Sequence, residues 1–379
     1  MQEGPSASQD SLASRWPRYE AAVLGFRHYW YPVLESRKLG RRPRTITVLG
    51  EKIVLVRDNG KVRALQDRCP HRGVPLSAGR REFPGFLTCR YHGWTYDIAT
   101  GELVAALTDG PDSPICGLAD VKVKTYPVEE RVGLIWVYIG DEPHPAVEAD
   151  IPEELLMPDA VVIPLVELRK GDWRYAMENA VDESHARYLH RKTPFAFFRK
   201  FPAYQTNVRM MPSEDGKWLR RLSKPVFDSA EYPRVGQWPK KEGFWRKAGG
   251  QVIVGGARLP GIFSVGHKNW LDFQIFVPVD ADHQLTVQVS MRRTRGLGAL
   301  IWRLRYWTYI RFFHHVILQR WEDGFIVGAI DAPPEYLFRP DVSIVGWRKW
   351  CDEKARRSPA EAAGTQPTAK PADALTGAK

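Results

Sequence analysis

The sequence predicts an α+β protein, in which a small all-β domain precedes a second domain with an antiparallel sheet flanked by helices. Between residues 41 and 150, short β-branched runs alternate with turns, and Asp58-Asn59-Gly60 is a strong hairpin signal. Between residues 151 and 357, β-type segments from Thr206 to Val289 are combined with helical patterns on either side. A chain of 379 residues is long enough for two such domains.

Residues 1–40 are predicted to form a lead-in, which is polar as far as Ser14. The aromatic-rich run from Trp16 to Val33 predicts a short helix followed by a turn at Pro32. Five segments after it have the β-branched and aromatic composition of strands. They are Thr45–Gly50, Lys52–Leu65, Phe86–Asp97, Val121–Glu130 and Leu134–Gly140.

The second domain is predicted to follow a Pro-rich, acidic linker at Gly140–Pro152. Three of its segments have helical patterns. They are Trp173–His190, with Asp172 as its N-cap, Leu297–Ile330 and Val342–Arg357. Residues 358–379 contain no aromatic side chain, and we expect this tail to be disordered.

The charge of the chain bears on its partners. The formal net charge is +11, but Lys and Arg are scattered and interleaved with acids, which does not favour nucleic acid binding. A basic surface that receives an acidic protein is the simpler interpretation. Four cysteines cannot form a disulfide framework in this length, and no secretion signal or apolar span is present. We therefore expect a cytoplasmic protein without an integral membrane span.

Two short motifs predict a metal centre in the first domain. Cys69-Pro-His71 is followed, after seventeen residues, by Cys89-Arg-Tyr-His92. Two loops that each offer one thiolate and one imidazole can hold a structural zinc as a single tetrahedron, or a [2Fe–2S] cluster with the two imidazoles on one iron. The tight Cys-x-His spacing favours the cluster, because the two residues can then serve adjacent irons.

A second set of candidate ligands lies in the sequence NAVDESHARYLH. Asp182 and His185 are three residues apart and would share a helical face. His185 and His190 are five apart, about 140° around an ideal helix, so both can bind one metal only if the helix unwinds or bulges. Iron that activates O₂ is often held by two histidines and one carboxylate. Glu322 and Asp323, on the predicted long helix, offer such a carboxylate.

Taken together, these motifs resemble the Rieske non-haem iron oxygenases, and the resemblance extends from about residue 24 to residue 357. The segments LGFRHYWYPV and IVGWRKW are similar to terminal oxygenase subunits of the carbazole dioxygenase and ketosteroid hydroxylase kind. The run HARYLHR is more similar to vanillate- and dicamba-type O-demethylases. The first domain would then be a Rieske domain, and the second a catalytic domain with a mononuclear iron.

The resemblance also implies cofactors and ligands. A [2Fe–2S] cluster would be held by Cys69, His71, Cys89 and His92, and Fe²⁺ by His185, His190 and Asp323. Glu322 would not be a ligand. Asp182 would connect an iron-bound histidine with a Rieske histidine of the neighbouring subunit in a homotrimer, where it would orient both rings. Phe195, Phe197 and Phe198 are candidates for lining a largely apolar substrate pocket.

By the same resemblance, the protein would use O₂ as a mono- or dioxygenase on an aromatic or other hydrophobic small molecule. The chain has no nucleotide-binding fingerprint, so its electrons would come from a ferredoxin or an NAD(P)H-dependent reductase. Oxidative O- or N-demethylation is an alternative within the family. A Rieske electron carrier without oxygenase activity is an alternative of a different class, although it would need no second iron.

Other candidate residues have simpler interpretations. His314 and His315 are potential ligands but have no partner at ligand spacing, so we expect a packing or surface role. Cys116 and Cys351 are expected to be ordinary core or surface cysteines. Trp302–Phe313 mixes Arg with aromatic residues, as an interfacial helix does, but packing of this helix under the sheet is the preferred interpretation.

Overall fold

The computed structural model describes residues 15–190, 193, 204–226, 231–232, 234, 236–237, 252–267, 270–331 and 334–358. The strands of the first half are β1 (Tyr29–Glu35), β2 (Arg44–Val48), β3 (Glu51–Asp58), β4 (Lys61–Gln66), β5 (Phe86–Thr88), β6 (Trp94–Asp97), β7 (Leu103–Ala106), β8 (Thr125–Tyr126), β9 (Val128–Arg131) and β10 (Leu134–Ile139). Those of the second half are β11 (Ala160–Lys170), β12 (Tyr204–Pro212), β13 (Leu219–Val226), β14 (Glu231–Tyr232), β15 (Gly236–Gln237), β16 (Val252–Arg258), β17 (Ile262–His267), β18 (Trp270–Pro278) and β19 (His283–Arg293).

The helices are α1 (Pro17–Ala21), α2 (Trp173–Val181), α3 (Glu183–Leu189), α4 (Leu297–Arg305), a π-helical segment (Tyr306–Asp323), α5 (Gly324–Val327) and α6 (Val342–Lys354). Short 3₁₀ turns lie at Ser36–Lys38, Leu76–Ala78, Val147–Ala149, Glu153–Leu156 and Arg339–Asp341. The predicted α+β architecture is confirmed. Among these helices, none combines the length and the apolar character that a bilayer crossing requires.

The first half is built from small antiparallel sheets, ordered β2-β3-β4-β8 and β5-β6-β7. The predicted hairpin joins β3 to β4, with Asn59 at φ +47° and Gly60 at φ +80°. Val54, Val56 and Leu65 pack between the two sheets in one apolar cluster. Two loops extend from this core, one between β4 and β5 and the other between β5 and β6, and each carries one of the Cys-His motifs.

The predicted turn at Pro32 is wrong, because this residue lies in β1 opposite Trp136 of β10. Proline is tolerated here because β1 is the edge strand of the sheet β1-β10-β9 and its register shifts next to Pro32. All seven residues of β1 are buried. The lead-in is therefore part of the core, and its hydrophobic residues belong to the same cluster as the large sheet of the second half.

The second half is organised around an antiparallel sheet of order β11-β19-β18-β17-β16-β13-β12. Successive side chains of its central strands point to opposite sides, and the two faces of the sheet differ in polarity. Phe273 and Val289, which are cross-strand neighbours, belong to the apolar core. On the opposite face, the neighbouring pairs are Asp272 with Ser290 and Gln274 with Gln288. This polar face lies beneath the long helical segment, since Asp272, Gln288 and Ser290 all belong to hydrogen-bonded groups that include its side chains.

The long helix predicted at Leu297–Ile330 is present, but it is π-helical from Tyr306 to Asp323. Its inner side packs Trp302, Tyr306 and Ile310 against β11 and β18. Its outer side leaves large apolar residues such as Leu300 and Leu304 exposed. The helix therefore packs on the sheet, as preferred from the sequence.

The predicted linker at Gly140–Pro152 is anchored at its carboxyl end. Val147 and Ile151 are buried, and Asp150 pairs with the guanidinium of Arg356 at 2.7 Å. A second buried ion pair joins α6 to α2, with Nε of Arg348 2.7 Å from Oε1 of Glu178. These contacts attach α6 to α2, and the segment that follows α6 to the linker.

Candidate metal centres

The two Cys-His loops have the same backbone hydrogen-bond pattern. In the first, the Cys69 amide donates to the Val74 carbonyl at 2.8 Å and the Gly73 amide donates to the Cys69 carbonyl at 2.8 Å. In the second, Cys89 donates to Trp94 at 2.7 Å, and Gly93 donates to Cys89 at 3.1 Å. Both glycines have positive φ, +76° and +67°, which closes each loop tightly.

The loops bring the four predicted ligands together. Nδ1 of His71 lies 3.1 Å from Nδ1 of His92, and the side chains of Cys69 and Cys89 are buried next to each other. Burial raises the pKa of the Cys89 thiol, and the neighbouring Cys69 raises it further. The Tyr96 hydroxyl lies 3.2 Å from the Cys69 sulfur. The two buried thiols and the two more exposed imidazoles form a donor set that fits a mixed-ligand [2Fe–2S] cluster.

Asp182 determines where the second candidate site begins. The continuous helix predicted over Trp173–His190 is wrong, because Asp182 leaves the helical region at φ −80° and ψ 104° and separates α2 from α3. Its carboxylate then caps α3 by accepting the amides of Ser184 at 2.8 Å and His185 at 3.0 Å. Asp172 caps α2 in the predicted manner, by accepting the amide of Arg174.

His185, His190 and Asp323 converge, with one ligand atom of each within 4.8 Å of the others. Oδ1 of Asp323 lies 3.4 Å from Nε2 of His185 and 3.1 Å from Nε2 of His190. No bulge separates the two histidines. Instead, α3 ends at Leu189, and His190 is the residue after it, at φ −84° and ψ 8°. The helix end supplies the irregularity that both histidines need in order to face one metal.

The arrangement fits a cation. Oδ1 of Asp323 and Nδ1 of His185 are buried and have no hydrogen-bond partner among the described residues. Burial raises the pKa of Asp323, but the two histidines outweigh it and hold the pKa far below its usual range. Burial lowers the pKa of His185, while the carboxylates of Asp182 and Asp323 raise it to about 10. Two imidazoles that face an ionised carboxylate are a suitable donor set for Fe²⁺.

Glu322 has a contact that sequence reasoning did not find. Its Oε2 lies 2.6 Å from Nδ1 of His190 and accepts the Thr193 hydroxyl at 2.6 Å. It therefore holds His190 from the side opposite the nitrogen that faces Asp323. The only signal in the sequence was the adjacency of the two acids, which does not by itself assign different roles to them.

His314 and His315 have a partner after all, since the fold places Asp272 beside both rings. Their nitrogens lie 3.9 and 4.0 Å from its carboxylate oxygens. Ser290 lies between Asp272, at 2.8 Å, and Nε2 of His315, at 3.0 Å. Asp272 comes from β18, about forty residues earlier in the chain, so spacing could not have indicated it.

A cavity opens beside Asp323, between the polar face of the sheet and the helices. It is small, with a volume of about 20 Å³, and polar and apolar side chains contribute to its lining about equally. The lining consists of Arg169, Lys170, Ala176, Asn179, Gln274, Phe276, Gln284, Thr286, Gln319, Asp323, Gly324 and Val327. The predicted lining residues Phe195, Phe197 and Phe198 lie outside the described residues.

Comparison with known proteins agrees with this geometry. Residues 29–127 match the Rieske [2Fe-2S] domain, and residues 138–212 match the domain described as homotrimeric ring hydroxylase. The terminal oxygenase component CarAa of carbazole 1,9a-dioxygenase from Sphingomonas sp. is 33% identical over 383 residues, which cover 90% of this chain and 96% of that protein. CarAa from Metapseudomonas resinovorans is 33% identical over 286 residues, 70% of this chain and 72% of the relative.

Solved structures give the same result. The reduced complex between oxygenase and ferredoxin in carbazole 1,9a-dioxygenase superimposes with a TM-score of 0.78 and 25% identity, covering 93% of this chain and 96% of that chain. The chain has the Rieske domain and the antiparallel catalytic fold, and it covers 96% of the relative from Sphingomonas sp.. It therefore belongs to the Rieske non-haem iron oxygenases, as a terminal oxygenase component, an O₂-dependent oxidoreductase with a [2Fe–2S] cluster and a mononuclear Fe²⁺.

Proposed function

We propose that this terminal oxygenase hydroxylates an aromatic or other hydrophobic small molecule next to a mononuclear iron held by His185, His190 and Asp323. The observation that supports it best is the convergence of these three side chains in a chain that also carries both Rieske loops. The iron would supply O₂ activation, and the cluster would supply electrons for it. Relatives act on carbazole, which is an aromatic ring system.

Each residue around the iron has a distinct role in this proposal. Asp323 contributes negative charge to the cation through the oxygen that has no other partner. His185 and His190 bind through Nε2, since this nitrogen of each ring faces Asp323. Glu322 holds Nδ1 of His190 and so keeps the ring turned toward the metal. The Asp182 carboxylate lies 3.6 Å from Nδ1 of His185, too far for a hydrogen bond, and places negative charge beside that ring.

The Rieske loops are the proposed entry point for electrons. Cys69, His71, Cys89 and His92 would hold the cluster, with Nδ1 of both histidines on one iron. Arg68, Arg72 and Arg90 are exposed on the same two loops. An acidic ferredoxin would be attracted to this positive rim, which steers association more than it adds affinity. Such a carrier, or an NAD(P)H-dependent reductase, is the proposed partner, and a relative forms a complex with ferredoxin.

We further propose a homotrimer, in agreement with the ring hydroxylase family that residues 138–212 match. Asp182 would then link His185 with a Rieske histidine of the next subunit. The proposed domain organisation consists of a lead-in at residues 1–40, a Rieske domain at 41–150, a catalytic domain at 151–357 and a tail at 358–379. A cytoplasmic location is part of the same proposal.

The test starts with metal analysis. An oxygenase should contain three irons per chain and a Rieske electron carrier two. His185→Ala and Asp323→Ala should remove one iron and leave the Rieske spectrum unchanged, because each deletes a ligand of one site only. Turnover is then measured with a surrogate ferredoxin and reductase, and the products are identified by mass spectrometry. A protein with two irons whose wild type forms no product with any aromatic substrate would contradict the proposal.

Demethylation remains the second candidate because HARYLHR resembles O-demethylases. The two reactions give different products. A demethylase releases formaldehyde in a one-to-one ratio with the demethylated product, whereas ring hydroxylation releases none. Measuring formaldehyde in the same reactions distinguishes them.

A further inference from the structure

A second group of possible metal ligands lies beneath the long helical segment. Asp272 on β18 and the consecutive residues His314 and His315 each offer one ligand atom within 4.8 Å of the others. Nδ1 of His314 lies 3.9 Å, and Nε2 of His315 lies 4.0 Å, from the carboxylate oxygens of Asp272. Zinc bonds to nitrogen and oxygen are about 2.0–2.2 Å long, so two ligands of one ion can lie up to about 4 Å apart. Small side-chain movements are enough to bring all three atoms onto one ion.

The carboxylate of Asp272 is buried without a permanently positive partner. Its side chain and that of His315 have no exposed surface, and the side chain of His314 is 17% exposed. Among the described residues, the only Lys, Arg or His nitrogens within 4.0 Å of its oxygens belong to these two histidines. Burial raises the pKa of the Asp272 carboxyl, because the ionised form has lost its water. Buried charges in native proteins are paired or coordinate metals, so an ionised Asp272 calls for a cation.

The hydrogen bonds around Asp272 are one proton short. Nε2 of Gln319 donates to Asp272 at 3.4 Å, so Oε1 of Gln319 faces the other way and accepts Nδ1–H of His315 at 3.0 Å. The hydroxyl of Ser290 donates its one hydrogen to Asp272 at 2.8 Å. When the imidazole is neutral, Oγ of Ser290 and Nε2 of His315 then face each other at 3.0 Å with no hydrogen between them. Either an extra proton or a metal ion bound to Nε2 would relieve this contact between two lone pairs.

His314 favours the metal ion over the proton. One proton serves one pair of atoms, whereas a cation attracts every donor atom around it, and a second imidazole faces the same carboxylate here. Two imidazoles and one carboxylate are also the donor set of the iron site. π-Helical geometry is rare and often found at functional sites, and the π-helical segment carries ligands of both groups.

We propose that Asp272, His314 and His315 bind a divalent transition-metal ion, for which nitrogen and carboxylate donors match Zn²⁺, and that this ion fastens the π-helical segment to β18. The ion is structural and takes no part in O₂ activation. His315 precedes Asp323 by eight residues, so fastening the segment at His315 also fixes the position from which Asp323 reaches the iron. The inference does not depend on the hydroxylation reaction, because an electron carrier with the same fold would bind the ion equally.

Metal analysis of the full-length, iron-loaded protein tests the site, with Zn²⁺ alone as the probe. After incubation with Zn²⁺ and gel filtration, the wild type should retain one zinc per chain in addition to its iron. The zinc absorption edge should show nitrogen and oxygen ligands and no sulfur, which excludes zinc bound at the Rieske loops. His314→Gln and His315→Gln should each lower zinc retention by roughly tenfold or more, because each removes one ligand. His283→Gln is the control, since this exposed histidine also lies beside an aspartate, Asp280, at 3.0 Å.

The iron content and the Rieske spectrum show whether each variant is folded. If His315→Gln does not fold, His314→Gln decides, because this side chain is partly exposed. A wild type that retains no zinc would overturn the proposal and assign the contact between Ser290 and His315 to a proton. Zinc with sulfur ligands, zinc that stays in the folded histidine variants, or zinc that is lost in His283→Gln would also overturn it. Failure of the oxygenase function is a separate result, since it appears as two irons per chain and no product, whatever the zinc content.

Discussion

Glu322 and Asp323, consecutive in the chain, hold opposite sides of the same ring. Nδ1 of His190 lies 2.6 Å from Glu322, and Nε2 lies 3.1 Å from Asp323. A carboxylate that orients a metal-binding histidine fixes both its direction and its basicity. The acidic pair therefore combines a proposed ligand with the group that positions another ligand, on one turn of helix.

The first prediction concerns this pair. Glu322→Ala should weaken iron binding on the order of 10–100-fold, because His190 loses the partner of its second nitrogen. Glu322→Gln should lose less, since the amide oxygen can still accept from the ring. Iron retention during titration with a chelator measures the effect, and the Rieske spectrum should not change. Glu353→Ala, an exposed carboxylate on α6, is the control. Unchanged iron retention in Glu322→Ala would mean that His190 needs no orienting partner.

The second prediction separates the two roles of Asp182. Asparagine is also a good N-cap, and it keeps one of the two oxygens that accept the amides of Ser184 and His185, so Asp182→Asn should keep α3 and both metals in place. It removes the charge beside His185 and the proposed bridge between subunits. Reduced Asp182→Asn mixed with substrate and O₂ should therefore reoxidise its cluster slowly in a single turnover. Wild-type reoxidation with both metals present would leave Asp182 with the capping role alone.

The third prediction concerns the second Rieske loop. Gly93 has φ +67°, and a Cβ at this position would lie 2.9 Å from Cβ of Leu107. Gly93→Ala should therefore displace the loop and lower the cluster content of the purified protein, measured from the visible absorption per chain. Gly85 has a similar φ of +82° but open space around it, so Gly85→Ala should show backbone strain without cluster loss. Equal cluster content in the two variants would contradict the steric explanation.

The fourth prediction concerns the buried ion pair between α6 and α2. Arg348 binds both oxygens of Glu178, at 2.7 and 2.9 Å, and Tyr19 donates to the same carboxylate at 2.6 Å. Arg348→Met should lower the free energy of unfolding by about 3–5 kcal/mol, because it leaves a buried charge without its partner. Adding Glu178→Gln should recover part of the loss. Urea denaturation measures both, with the exposed Lys349→Met as control. A loss as small as that of the control would contradict the prediction.

Local chemistry explains why much of this protein could be predicted. The Cys-His spacings, the Asn59-Gly60 hairpin and the Asp172 cap depend on residues close together in the chain, so short patterns indicate them. The same holds for the β-rich first half, where alternating apolar residues form the core. The turn predicted at Pro32 is wrong because proline is tolerated in a strand at the edge of a sheet, and only the sheet order shows that β1 is an edge strand.

The sequence by itself therefore determined the fold class, the two candidate metal centres and the family. The tertiary structure decided which groups meet: Glu322 with His190, Asp272 with His314 and His315, and the end of α3 that releases His190 toward Asp323. It also decided that Gln284, Thr286 and Gln288 are buried, because the strand face that carries them lies under the long helix and not against solvent. The physical reason is distance along the chain. These contacts join residues roughly thirty to more than one hundred positions apart, and no local periodicity encodes such pairings.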